Sequence, residues 1–160
     1  MANHGATIEW QRGDQDFLDR RYSRAHLWRF DGGAAVAASS SPHVVREPFS
    51  NPANVDPEEA YVAALSSCHM LWFLDLAARA GFRIDGYRDA AEGEMARNAD
   101  GKEWIARVVL RPHIRFSGVL APDDAMVDGL HHAAHENCFL ANSVRSAVET
   151  RGSWEYRLGD

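Results

Sequence analysis

Short stretches of mixed apolar and polar residues surround one long apolar run, and that contrast predicts where strands and helices lie. From Thr7 to about Ala38, β-branched and aromatic residues recur around a turn at Asp31-Gly32-Gly33, the pattern of several short strands. Ser39 to Val55 interrupts with Ser, Asn and the prolines Pro42, Pro48 and Pro52, and reads as a surface loop long enough to be functional or mobile. Asp56-Pro57-Glu58-Glu59 then supplies a helix start: Asp56 can accept the first free N–H groups, Pro57 suits the first turn, and Glu59 completes a capping-box-like pair. The predicted helix runs to Ala80, where Gly81 is placed to end it in a left-handed conformation. Its middle is apolar or small on every side rather than along one stripe, which predicts burial between a sheet and other helices.

Further on, the runs Ile84 to Ala96 and Trp104 to Phe116 flank Asn98-Ala99-Asp100-Gly101, a strong hairpin signal. In the second run Ala106, Val108, Leu110, Ile114 and Phe116 fall mostly opposite Arg107, Arg111, His113 and Arg115, so one face is expected buried and one wet. A second helix is predicted to start near Ala121-Pro122-Asp123-Asp124, with Met126, Val127, Leu130, Ala133 and Ala134 at helical spacing and Cys138 near its end. Ser146 to Tyr156 closes the chain as a strand. No repeat, low-complexity tract or long linker divides residues 1–160, so one domain of mixed strands and helices is expected.

Composition narrows the function. At 160 residues, 46% hydrophobic and 25% charged, the chain can bury a core without a disulfide or metal. A net charge of -6 argues against nucleic-acid binding, which demands a surplus of Lys and Arg. The N-terminal residues lack a basic region followed by an apolar one, and no apolar run is read as membrane-spanning. A cytoplasmic location with no membrane partner is therefore expected. In that compartment thiols are kept reduced, so the two cysteines, Cys68 and Cys138, are more easily understood as chemical than structural.

Cys68 lies about a dozen residues into its helix, beyond the first turn where the helix dipole acts, so a reactive Cys68 needs a cation delivered from elsewhere. Arg21, Arg24 and Arg29 are the candidates, and Glu58 is a carboxylate able to hold such a guanidinium. Each cysteine also has a plain reading as a small core hydrophobe, Arg24 as a solvated strand residue, and Glu58 as a charge complementing the helix dipole. As a pair in a reducing compartment, the cysteines favour a redox couple, since a sulfenic acid needs a resolving thiol; a permanent disulfide is the minor alternative. His131, His132 and His135 form a separate cluster in which His131 and His135 have ligand-like spacing, but no His-Glu-x-x-His order is present, and surface or contact histidines are the plainer reading.

Two segments carry a specific resemblance. Asp56-Pro57-Glu58-Glu59 through Ala64-Leu65-Ser66-Ser67-Cys68-His69-Met70 resembles the first cysteine helix of the OsmC/Ohr hydroperoxide reductases, and His131 through Val144 is similar to the family's second cysteine segment. Tyr22-Ser23-Arg24-Ala25-His26 and the turn at Asp31-Gly32-Gly33 resemble its N-terminal portion. The resemblance implies an α+β fold with two long central helices against antiparallel sheets, in an intertwined homodimer. It further implies Cys68 as peroxidatic cysteine, Cys138 as resolving cysteine, Arg24 (or its neighbour Arg21) as activating arginine and Glu58 as the glutamate that holds it. The activity implied is reduction of organic hydroperoxides, and of hydrogen peroxide, by a dithiol such as a lipoyl protein or thioredoxin, with no metal or organic cofactor. The alternative is a non-catalytic redox-sensing or ligand-binding dimer. Phe139-Leu140 stands where Ohr-like members usually carry Pro-Tyr, which places the chain nearer an OsmC-like side branch.

Overall fold

In a computed structural model the chain is described over residues 2–158; Met1, Gly159 and Asp160, the ends of the expected 1–160 domain, lie outside the described residues. The chain divides into two compact units, one up to Ala60 and one from Tyr61 on.

The first unit holds the expected short strands: β1 (Ala6–Glu9), β2 (His26–Phe30) and β3 (Ala35–Ala38), antiparallel in the order β1-β2-β3. Arg24, read from the sequence as a strand residue, lies ahead of β2, which begins only at His26. Ahead of it, side chains rather than a ladder satisfy the backbone: Leu18 N–H donates to Asp16 and Arg21 N–H to Asp19, while Arg24 N–H donates to the Phe49 carbonyl at 2.9 Å. Such local bonds compete with strand pairing. The proline-rich loop is tied down rather than loose, because Ser39 N–H donates to Val55 O, Val55 N–H to Ala37 O, and Asn51 N–H to the buried Ser39 hydroxyl.

Helix α1 (Pro57–Arg79) starts in the first unit with the anticipated capping box. Glu59 N–H donates to Asp56 Oδ1 at 2.8 Å, and Asp56 N–H donates back to Glu59 Oε2 at 3.2 Å. Gly81 follows with φ 85°, a conformation that disfavours any side chain. The burial differs from expectation. Only Leu65, His69, Phe73 and Ala77 are buried, a single stripe at four-residue spacing, and Leu71 is 61% exposed. By length and composition α1 could cross a membrane, contrary to the sequence expectation; its stripe instead packs into the core of its own chain.

In the second unit each of the two anticipated long strands is broken in two. The first becomes β4 (Arg83–Asp89) and β5 (Glu92–Arg97), the second β6 (Glu103–Leu110) and β7 (Pro112–Ser117). Pro112 offers no N–H, and Asp89 Oδ1 takes the Arg111 N–H at 2.6 Å, so both runs bend at the same level and each half enters a different sheet. The closing segment likewise splits into β8 (Ala147–Thr150) and β9 (Ser153–Arg157). The sheets are β4-β7-β9 and β5-β6-β8; β8 and β9 add parallel to β6 and β7, so both sheets are mixed rather than purely antiparallel. The hairpin at 98–101 joins β5 to β6 as anticipated.

Helix α2 (Asp124–Asn137) is capped by Asp123, whose carboxylate accepts from Met126 N–H. Phe73 and Ala77 of α1, Val127 and Ala134 of α2, and Ile114 and Phe116 of β7 share one apolar cluster; Leu65 joins Val108 and Leu110 of β6 in a second. His69 falls between them on the stripe.

Candidate thiol site

Cys138 is the C-cap of α2, with its N–H donating to Ala134 O and His135 O. Its side chain is 1% exposed, and its sulfur accepts from Ala141 N–H at 3.4 Å in the short 3-10 turn Ala141–Ser143. Cys68, mid-way along α1, is half-buried and close enough to Cys138 to act on its thiol. Burial pushes the Cys138 thiol up, and the neighbouring Cys68 pushes it further, while the Ala141 N–H opposes both. Neither cysteine is in a disulfide. Seventy residues apart in sequence, the two thiols are brought together within the second unit.

Arg24 and Glu58 lie in the first unit. Both line a cleft of about 520 Å³ together with His26, Ser39, Ser40, Pro57 and the apolar side chains of Ile8, Trp10, Phe17 and Tyr22. Trp10, Phe17 and Tyr22 pack ring on ring, with Phe17 and Tyr22 stacked at 4.8 Å. The Arg24 guanidinium sits 3.9 Å over the Tyr22 ring and donates to the carbonyls of Arg20 and Tyr22; no ion pair joins it to Glu58. Of the other arginines proposed from sequence, Arg21 lies over Phe49 and Arg29 pairs with Glu9, and neither lines the cleft. Arg24 and Glu58 thus share a cavity without sharing a hydrogen bond.

The histidine cluster separates. His132 is exposed beside Glu136, whereas His131 is buried and turned to His69 of α1, its Nδ1 lying 3.0 Å from His69 Nε2 with the ring planes nearly parallel, 16° apart. Both buried imidazoles are held down to a pKa of about 4, for His69 by burial and then by His131 and His135 against the pull of Asp89, and for His131 by burial. Among the described residues no three His, Cys, Asp or Glu side chains are gathered to hold a metal. Sequence reasoning gave His69 no role, although its place in the stripe Leu65-His69-Phe73-Ala77 was a signal: a histidine at a core position requires a polar partner. Ser66, Tyr87 and Asp89 were missed as well. Ser66 donates to Asp89 Oδ2 at 2.5 Å, and the buried Tyr87 hydroxyl has no partner.

Known proteins bear on this arrangement. The family model for OsmC-like proteins matches residues 50–151. An OsmC-like protein of unknown function from Vibrio cholerae is 51% identical, covers 95% of this chain and 99% of its own, and superposes with a TM-score of 0.93. An organic hydroperoxide resistance protein from Elizabethkingia anophelis shares the fold at 16% identity, 98% coverage of both chains and a TM-score of 0.67. The organic hydroperoxide resistance protein OhrB of Bacillus subtilis does so at 14% identity, covering 96% of this chain and 98% of its own, with a TM-score of 0.60. No curated protein matches.

Proposed function

The chain belongs to the OsmC-like family, and we propose that it is a cysteine-based peroxidase that reduces organic hydroperoxides to alcohols through a Cys68 sulfenate and a Cys68-Cys138 disulfide. The observation that carries this reading is the approach of the Cys68 and Cys138 thiols within one unit. The Cys68 thiolate attacks the distal peroxide oxygen, the O–O bond breaks, and the alkoxide leaves as alcohol after taking a proton. Cys138 then attacks the Cys68 sulfenic acid, the S–S bond forms, and the hydroxyl leaves as water. A dithiol, a lipoyl protein or thioredoxin in the cytoplasm, reopens the disulfide by exchange.

Arg24 is proposed as the cation serving Cys68 and Glu58 as the group that orients it; their common place in one cleft is what favours Arg24 over Arg21. No metal or organic cofactor enters these steps. Residues 1–160 are read as a single family domain, because the family match crosses from the first unit into the second. A homodimer completes the reading, favoured by the exposure of Leu71 on α1 and of Phe139, 71% exposed, just after Cys138.

The raised Cys138 thiol favours one alternative, a redox sensor that oxidises but turns over slowly. Steady-state assays separate the two. The peroxidase consumes an organic hydroperoxide catalytically with dihydrolipoamide or thioredoxin, and Cys68→Ser abolishes consumption; stoichiometric oxidation without turnover supports the sensor and contradicts the peroxidase.

A further inference from the structure

The chemistry just described leaves unused the buried polar contact nearest to it in the fold. His69 follows Cys68 in α1, and His131 stands seven residues, two turns, ahead of Cys138 on the same side of α2. Among the described residues their 3.0 Å contact is the one hydrogen bond that joins α1 to α2. It is also well shielded: His69 is 1% and His131 8% exposed, and the Phe73 ring lies 4.5 Å from the His131 ring.

Such a contact needs one proton between two nitrogens. The other His131 nitrogen, Nε2, is buried without a partner and faces Gly152, where even a Cβ would come within 2.8 Å. A proton on that nitrogen would be a buried N–H with no acceptor, whereas a bare lone pair there costs less. The proton therefore sits on His131 Nδ1, which donates to His69 Nε2, and His69 carries its own proton on Nδ1. Further protonation has no good place: His69 Nε2 is already occupied, and His131 Nε2 is buried beside Gly152 with no acceptor. Besides His131, the titratable groups acting on His69 are His135 on α2, which opposes a proton, and Asp89 on β4, which favours one.

We propose that the neutral His69–His131 hydrogen bond is the pin that fixes the approach of Cys68 to Cys138, so that His69 and His131 are positioning residues for disulfide closure and not for the first attack on peroxide. Closure itself is the step written above, Cys138 displacing the Cys68 hydroxyl as water. When the pair takes up a proton the pin opens, and closure slows by more than loss of thiolate explains. The biological step rests on the peroxidase reading; the pin does not.

Closure is measured in two ways: after a pulse of alkyl hydroperoxide, by competition with dimedone for the sulfenic acid, and with diamide, which takes two electrons and two protons from a thiol pair whatever the substrate. His131→Phe keeps the ring and loses the bond; it is expected to slow closure about tenfold, the worth of one ordinary hydrogen bond. His131→Asn keeps a donor where Nδ1 stands but cannot become charged; it is expected to restore closure and, relative to the native chain, to gain as pH falls from 6.5 toward 4. Nitrogen-15 spectra of the native chain at neutral pH should show both rings uncharged, with the His131 proton on Nδ1. Equal diamide closure in the native chain and both variants, or a proton on His131 Nε2, overturns the pin. If His131→Phe does not fold, His131→Asn and the spectra still decide it. Failure of hydroperoxide turnover with the diamide pattern intact counts against the peroxidase alone.

Discussion

At Cys138, burial and chemistry pull in opposite directions. The resolving role proposed for Cys138 needs a thiolate, yet the site is closed to solvent and pushes the thiol up, so the second step of the proposed cycle is expected to slow as pH falls. The role proposed for each cysteine rests on resemblance, since each alone has an equally good reading as core. His69 was legible in principle, as a histidine on an apolar stripe, but its partner lies 62 residues away and no local pattern names it. Two substitutions test this level. Tyr87→Phe removes a buried hydroxyl that has no partner and is expected to leave thermal stability unchanged or raise it by up to about 1 kcal/mol; a clear loss would mean that the hydroxyl is bonded. Gly152→Ala forces a Cβ against His131 Nε2 and is expected to cost about 1–3 kcal/mol in denaturant unfolding. Wild-type stability in Gly152→Ala would show that the histidine ring has room to move.

Elements were read well where the signal is local. The capping box, the Gly81 stop, the hairpin turn and the extent of α2 all follow from residues within a few positions of each other. The strands were read too long because their interruption is not local: Asp89 and Arg111 meet across 22 residues, and alternation continues through the break. The burial of α1 was misread for a related reason, since composition alone cannot tell a helix enclosed on all sides from one that buries a single stripe. Asp56→Ala removes the acceptor of the Glu59 N–H and is expected to cost about 1 kcal/mol, seen as a lower midpoint in chemical denaturation with an unchanged slope. An unchanged midpoint would mean that the first turn of α1 frays without consequence.

For the whole molecule, the histidine pair links stability to pH. An unfolded chain protonates both imidazoles near pH 6.5, whereas the folded chain does so near pH 4, so between these values the unfolded state binds more protons. Stability is therefore full above pH 6.5 and falls as pH drops toward 4, by about 1.4 kcal/mol per pH unit for each imidazole at most. Replacing His131 by Asn is expected to flatten that decline, as read from unfolding midpoints across the range. The exposed Leu71 and Phe139 lead to a further expectation, a dimer in sedimentation experiments that weakens when both are changed to Ser.

The division of labour between Cys68 and Cys138 is tested most directly by mass spectrometry of the reduced protein after one equivalent of an alkyl hydroperoxide. The native chain should lose the mass of two hydrogens, with Cys68 linked to Cys138. Cys138→Ser should gain one oxygen on Cys68, and Cys68→Ser should not change. Oxygen appearing first on Cys138, or a Cys68→Ser chain that is oxidised as fast as the native one, would contradict the assignment.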